Sequence, residues 1–265
     1  MRENKSCFGL YNYLDIDGSP EEVIEKIIKK IPDLEDIGFA GYLEKEWLKK
    51  TLERLIPDRE GDNQNYLYDK ENWEKIKLIC ERVIEKCEEY LEGKIHIFLF
   101  PTFDKFTIKN MNGVSGFCPW SNTIFIFINF TSQWKKYLAG SIAHELAHAL
   151  SPYCKPDASI GSWLVLEGMA ENFKDFILHE KRSTWANAIT EEESWKIFEE
   201  IKNTLGENDF GRYNEVFYGT GKYPLWAGYT IGYYLIKRYL KENSSINWNE
   251  LLQMDPIEIL GRGGE

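Results

Sequence analysis

The order in which hydrophobic periodicity changes along this chain constrains its fold more than any other feature. "KIHIFLFP" (Lys94–Pro101) and "NTIFIFINF" (Asn122–Phe130) are β-branched and aromatic-rich, which is the texture of strands. "GVSGFCPW" (113–120) lies between them and predicts an edge strand that passes through a turn at Ser121–Asn122 into a central one. Helical period dominates on both sides of this region. "GSPEEVIEKIIKKIP" opens with Ser19 as N-cap, Pro20 at the first helical position and Glu22 closing a capping box. A second helix is expected over Leu43–Ile56. From Asn72 to Leu91 the positions Ile76, Ile79, Cys80, Val83, Ile84, Cys87 and Leu91 keep a helical stripe. Beyond Phe130, helices are expected near Ser132–Leu150, Ser162–Glu180, Thr190–Leu205 and Leu225–Lys241. Helices, then a small mixed sheet, then helices imply an α+β fold rather than a doubly wound one. The polar, aperiodic "PDREGDNQN" (Pro57–Asn65) is the natural linker. It divides the chain into an N-terminal helical segment, 1–65, and a main domain, 66–265.

Composition narrows the function. The chain is 43% hydrophobic and 15% aromatic, hence globular. A formal net charge of −11 argues against nucleic acid as a partner, because phosphate contacts need clustered Lys and Arg. No run approaches the ~18 apolar residues of a membrane span. The first residues lack the apolar core of a signal peptide, so a cytoplasmic protein is expected. Five cysteines without a CxxC pair read as reduced, buried thiols. Nothing in the sequence sets an oligomeric state.

The chemistry concentrates in "SIAHELAHALSPY" (141–153). His144 and His148 are four apart and share one helix face. Two imidazoles at that spacing can grip one Zn²⁺, and Glu145 can reach a water beside the ion. The competing reading is a pair of structural histidines on a buried helix. The apolar, small-residue surroundings weigh against it, because buried imidazoles and carboxylates need partners or a metal. A catalytic zinc wants a third protein ligand. Ser151 and Cys154 occupy the places where one extended form of the motif has glycine and a third histidine, and a Cys154 thiolate is the weaker candidate. Glu167, in "GSWLVLEGMAENF", follows His148 with eighteen residues between, room for a turn and a return helix. Glu171 lies one helical turn further on, where it can accept a hydrogen bond from a ligand imidazole.

His-Glu-x-x-His followed by Trp-Leu-x-x-Glu-Gly-x-Ala (163–170) resembles the gluzincin metallopeptidases. "NGVSGFC" before the motif and "WAGYTIGYYLIKRYL" after it look most like a family of predicted zinc-dependent proteases, YjaZ-like, over residues 75 to 260. The resemblance implies a zincin-like metallopeptidase domain with one Zn²⁺ per chain and a peptide or protein substrate. Carried over by position, His144, His148 and Glu167 are the zinc ligands, Glu145 the general base and Glu171 the carboxylate behind the ligands.

Peptide hydrolysis also needs a donor for the oxyanion. Gluzincins place a histidine or tyrosine for this on a later helix, but His96 lies in a strand and His179 ends a helix, so both read as structural or exposed. Tyr229, between Gly228 and Gly232, is the candidate, with Tyr223 and Tyr233 behind it. Gly113, Gly116 and Phe117, on the expected edge strand, are candidate substrate-binding positions. No glutamate there is placed to hold a free N-terminus, which favours an endo- or oligopeptidase. Two alternatives stand beside this one. One is a gluzincin-fold protein that binds metal or a peptide without turnover; the other is a helical interaction protein with an accidental motif.

Overall fold

The computed structural model describes residues 8–14, 20–30, 46, 49–53, 68–91, 94–120, 122–130, 133–155, 158–179 and 182–263. The chain forms two compact units, residues 1–149 and 150–265.

The first unit is built on a four-stranded sheet. Its strands are β1 (Phe8–Asn12), β2 (Ile95–Pro101), β3 (Val114–Trp120) and β4 (Thr123–Ile128). Their order is β1-β2-β4-β3. β1 and β4 run parallel to β2, and β3 runs antiparallel to β4. Every residue of β2 and β4 is buried, as continuous apolar strands covered on both faces must be. Phe125 packs edge-on against Phe98 and Phe100, with centroids 5.3 and 5.1 Å away. Helices of this unit among the described residues include α1 (Pro20–Lys30), α2 (Lys70–Cys87), α3 (Lys105–Asn110) and α4 (Trp134–Leu150), the last ending one residue past its boundary; residues 49–53 are helical as well. Asp69 caps α2 by accepting from Asn72 N, so the helix begins two residues before the expected Asn72.

β1 is a departure from expectation, for it lies in a segment read as helical. A five-residue strand has no period of its own to display; it is specified by pairing with β2, 87 residues further along the chain, through Tyr11 and Phe98 stacked at 4.5 Å. The Ser19 cap, the linker at 57–65 and most of the helix expected at 43–56 lie outside the described residues.

The second unit is helical: α5 (Ile160–Leu178), α6 (Glu191–Ile201), α7 (Phe210–Tyr218), α8 (Ala227–Glu242), α9 (Trp248–Leu252) and α10 (Pro256–Gly263). α5 and α8 cross at two glycines. A Cβ on Gly168 would overlap the carbonyl of Gly232, and one on Gly232 would overlap Leu164 O. Helix backbones therefore touch there, which brings residue 167 beside the turn of α8 that carries Tyr229. α7, α9 and α10 escaped the sequence analysis. Among the described residues no helix is long and apolar enough to cross a membrane.

Candidate metal centre

α4 supplies the histidines. The helix is buried along Ser141–Ala149, so the two imidazoles have no water to face. Their Nε2 atoms lie 3.2 Å apart, with the rings inclined at 75°. Two nitrogens ~2.05 Å from one tetrahedral zinc would stand about 3.3 Å apart. The pair thus has the spacing a shared ion requires. Glu167, on α5, is also buried. One ligand atom each from His144, His148 and Glu167 all lie within 4.8 Å of one another. Two neutral nitrogen donors and one carboxylate suit Zn²⁺.

Glu145 follows the first histidine on α4. Its side chain runs over β3, where Gly116 makes room for it: a Cβ on Gly116 would overlap Glu145 Cγ and Oε1 and lie 2.7 Å from Cδ. The carboxylate is 6% exposed. Gly116 and the half-buried Phe117 thus lie on the edge strand, Phe117 packing edge-on to Phe125 at 6.5 Å. Gly113 serves a different end. Its φ is 79°, after Asn112 at 56°, a left-handed pair that glycine and asparagine tolerate. Its N–H donates to Thr107 O at 3.0 Å and its carbonyl accepts from Asn129 N at 2.8 Å. It forms the turn from α3 into β3.

Glu171 is fully buried and held by donors the sequence did not suggest. Lys174 Nζ reaches it at 2.7 Å, Ser183 Oγ at 2.6 Å and Trp185 Nε1 at 2.7 Å. Burial pulls the Lys174 ammonium down, but Glu171 and Asp175 outweigh it and hold its pKa above the usual value.

The tyrosines separate into two sets. Tyr233 faces Asp175 and the Arg182 guanidinium, which lies 4.8 Å from its ring. Tyr223 is buried, with Lys222 5.3 Å from its ring. Of Tyr229 and Tyr233, it is Tyr229 that the Glu167 carboxylate influences. Burial, then the Glu167 carboxylate and the hydroxyls of Tyr218 and Tyr213, push its pKa well above 10. It stays a protonated donor at neutral pH. Tyr213 is raised likewise, by burial and then by Tyr218 and Glu167, and its hydroxyl bonds to that of Tyr229. Tyr213 and Tyr218 come from α7, a helix the sequence analysis did not predict. The Asp209 cap and the aromatic stripe Phe210, Tyr213, Phe217 were the available signal.

Of the other candidates, Cys154 is partly exposed and Cys80, Cys87 and Cys118 are buried thiols. Burial pushes the Cys80 and Cys87 thiols up to about 12, so both are inert at neutral pH. His96 Nδ1 meets the Tyr11 hydroxyl at 2.9 Å, and His179 is the left-handed C-cap of α5.

A family described as predicted Zn-dependent protease (DUF2268) matches residues 73–261. The chain belongs to this family. The match covers the metal motif, the edge strand and the whole helical unit. An uncharacterised protein of Bacillus subtilis, YjfC, is 23% identical over 172 residues, 59% of this chain and 57% of its own length. The chain thus spans just over half of that relative. No solved structure matches significantly.

Proposed function

We propose that this chain is a zinc-dependent peptidase of the gluzincin type, cutting within peptides. The observation that carries the reading is the His144, His148 and Glu167 set together with a buried carboxylate, Glu145, next to the first histidine and packed over the edge strand at Gly116. A zinc ion held by these three residues would supply a Lewis acid that polarises a peptide carbonyl and acidifies water. The chain's own residues do the rest. Glu145 accepts the proton of the attacking water and returns it to the departing amine. The edge of β3 beside Gly116 and Phe117 takes an extended substrate by main-chain hydrogen bonds. Tyr229, kept protonated, donates to the oxyanion. Glu171, with its charge matched by Lys174, anchors α5 behind Glu167.

The test is a mixed peptide library incubated with untagged protein, with and without a chelator, and read by mass spectrometry. Chelator-sensitive internal cleavage is expected, with one zinc per chain by elemental analysis. Zinc without cleavage would leave the silent, metal-binding alternative. A chain that binds no zinc would leave the motif a structural accident.

A further inference from the structure

Gly116 has no backbone reason to be glycine. It lies within β3, paired with Ile126, and its φ is outside the left-handed region. Glycine weakens a strand interior, where β-branched residues fit better. What excludes a side chain is Glu145, whose Cγ, Oε1 and Cδ occupy the volume a Cβ would fill. The obstruction differs in kind from that at Gly168 and Gly232, where the overlap is with backbone. At Gly116 the opposing atoms belong to a side chain, from Cγ outward. A methyl group there displaces the carboxylate rather than the fold.

We infer that Gly116 is a positioning residue: the space over its Cα is the slot that holds the Glu145 carboxylate against the open edge of β3. The proton acceptor and the strand that takes the substrate backbone then share one register. This rests on the peptidase reading of Glu145 and adds a residue that acts through it. A misplacement of ~1 Å can cost on the order of 10²-fold in rate, so a slot one methyl group deep suffices to matter.

The experiment compares four full-length proteins: wild type, Gly116→Ala, Glu145→Asp and the double variant. Zinc content, Tm, kcat and KM are measured on a peptide that wild type cuts. Gly116→Ala should keep its zinc, a near-native Tm and an unchanged KM, while kcat falls on the order of 10²-fold. Glu145→Asp withdraws the carboxylate by one methylene and should lose activity alone. In the Gly116→Ala background it should cost little more, or recover part of the loss, so the two effects do not multiply. A wild-type kcat for Gly116→Ala, losses that simply multiply, or a change confined to KM would each overturn the inference. If Gly116→Ala does not fold, restored folding of Gly116→Ala/Glu145→Ala, which removes Cγ together with the carboxylate, supports the slot, and continued failure overturns it. A wild-type protein that cuts no peptide fails the peptidase reading itself, an outcome distinct from active wild type with an unaffected Gly116→Ala.

Discussion

In the proposed mechanism Glu145 and the two histidines on its helix do different work, and substitution should separate them. Glu145→Gln should retain one zinc and the native Tm yet lose activity by about 10²–10⁴-fold, the range for a positioned acid–base group. His148→Ala should lose zinc and activity together, since it removes half of the Nε2 pair at 3.2 Å. Tyr229→Phe should keep zinc and lose about 10²–10³-fold, as for one oxyanion donor. Equal loss of metal in all three, by elemental analysis, would contradict these roles. Lys174 makes a purely structural prediction. It is 3% exposed beside a fully buried Glu171, so Lys174→Met strands a carboxylate and should cost about 3 kcal/mol in denaturant unfolding. Ser183 and Trp185 also donate to Glu171, which keeps the cost at the low end. At this scale the sequence was legible where local geometry sets the outcome. An i,i+4 spacing on a helix puts two imidazoles on one face whatever the fold. Tyr213 and Tyr218 carried no such signal; only the packing of α7 brings their hydroxyls to Tyr229.

Elements with their own punctuation were read nearly to their ends. The expected helix from Thr190 is α6, closed by a Thr190–Glu193 capping box. That expected at 162–180 is α5, capped by Ser159 and stopped at His179 with φ 53°. Short elements were not. β1 depends on a partner far along the chain, and α9, five residues long, is shorter than the window in which a period can be seen. The glycines of "EGMA" and "GYTIGYY" are element-scale features too, because they set how closely α5 and α8 approach. Gly232→Ala places a methyl group on Leu164 O, and backbone cannot swing aside. The expected loss is about 3 kcal/mol, the upper part of the overpacking range, or roughly 5–10 °C in Tm. A Tm within a degree of wild type would refute the backbone crossing.

For the whole molecule the measurable consequence is linkage between metal and folding. A zinc held by buried ligands binds the native state alone, so free metal at 1,000 times its Kd should add about 4 kcal/mol. Stripping it with a chelator should lower Tm by roughly 10 °C, and added zinc should restore it; an unmoved Tm would argue against a bound ion. Glu145→Gln should show the same shift, since it leaves the ligands intact. The amino-acid sequence by itself determined the α+β class, the long helices, the central strands and the residues offered to a metal, because each follows from periods and spacings within one element. The tertiary structure alone decided that β1 joins the sheet, that Glu171 answers to Lys174, Ser183 and Trp185, that Tyr229 rather than Tyr233 lies by Glu167, and that Gly116 is empty because Glu145 fills its space. Those outcomes are set by side chains distant in sequence competing for the same volume and the same hydrogen bonds, and no local pattern records which of them meet.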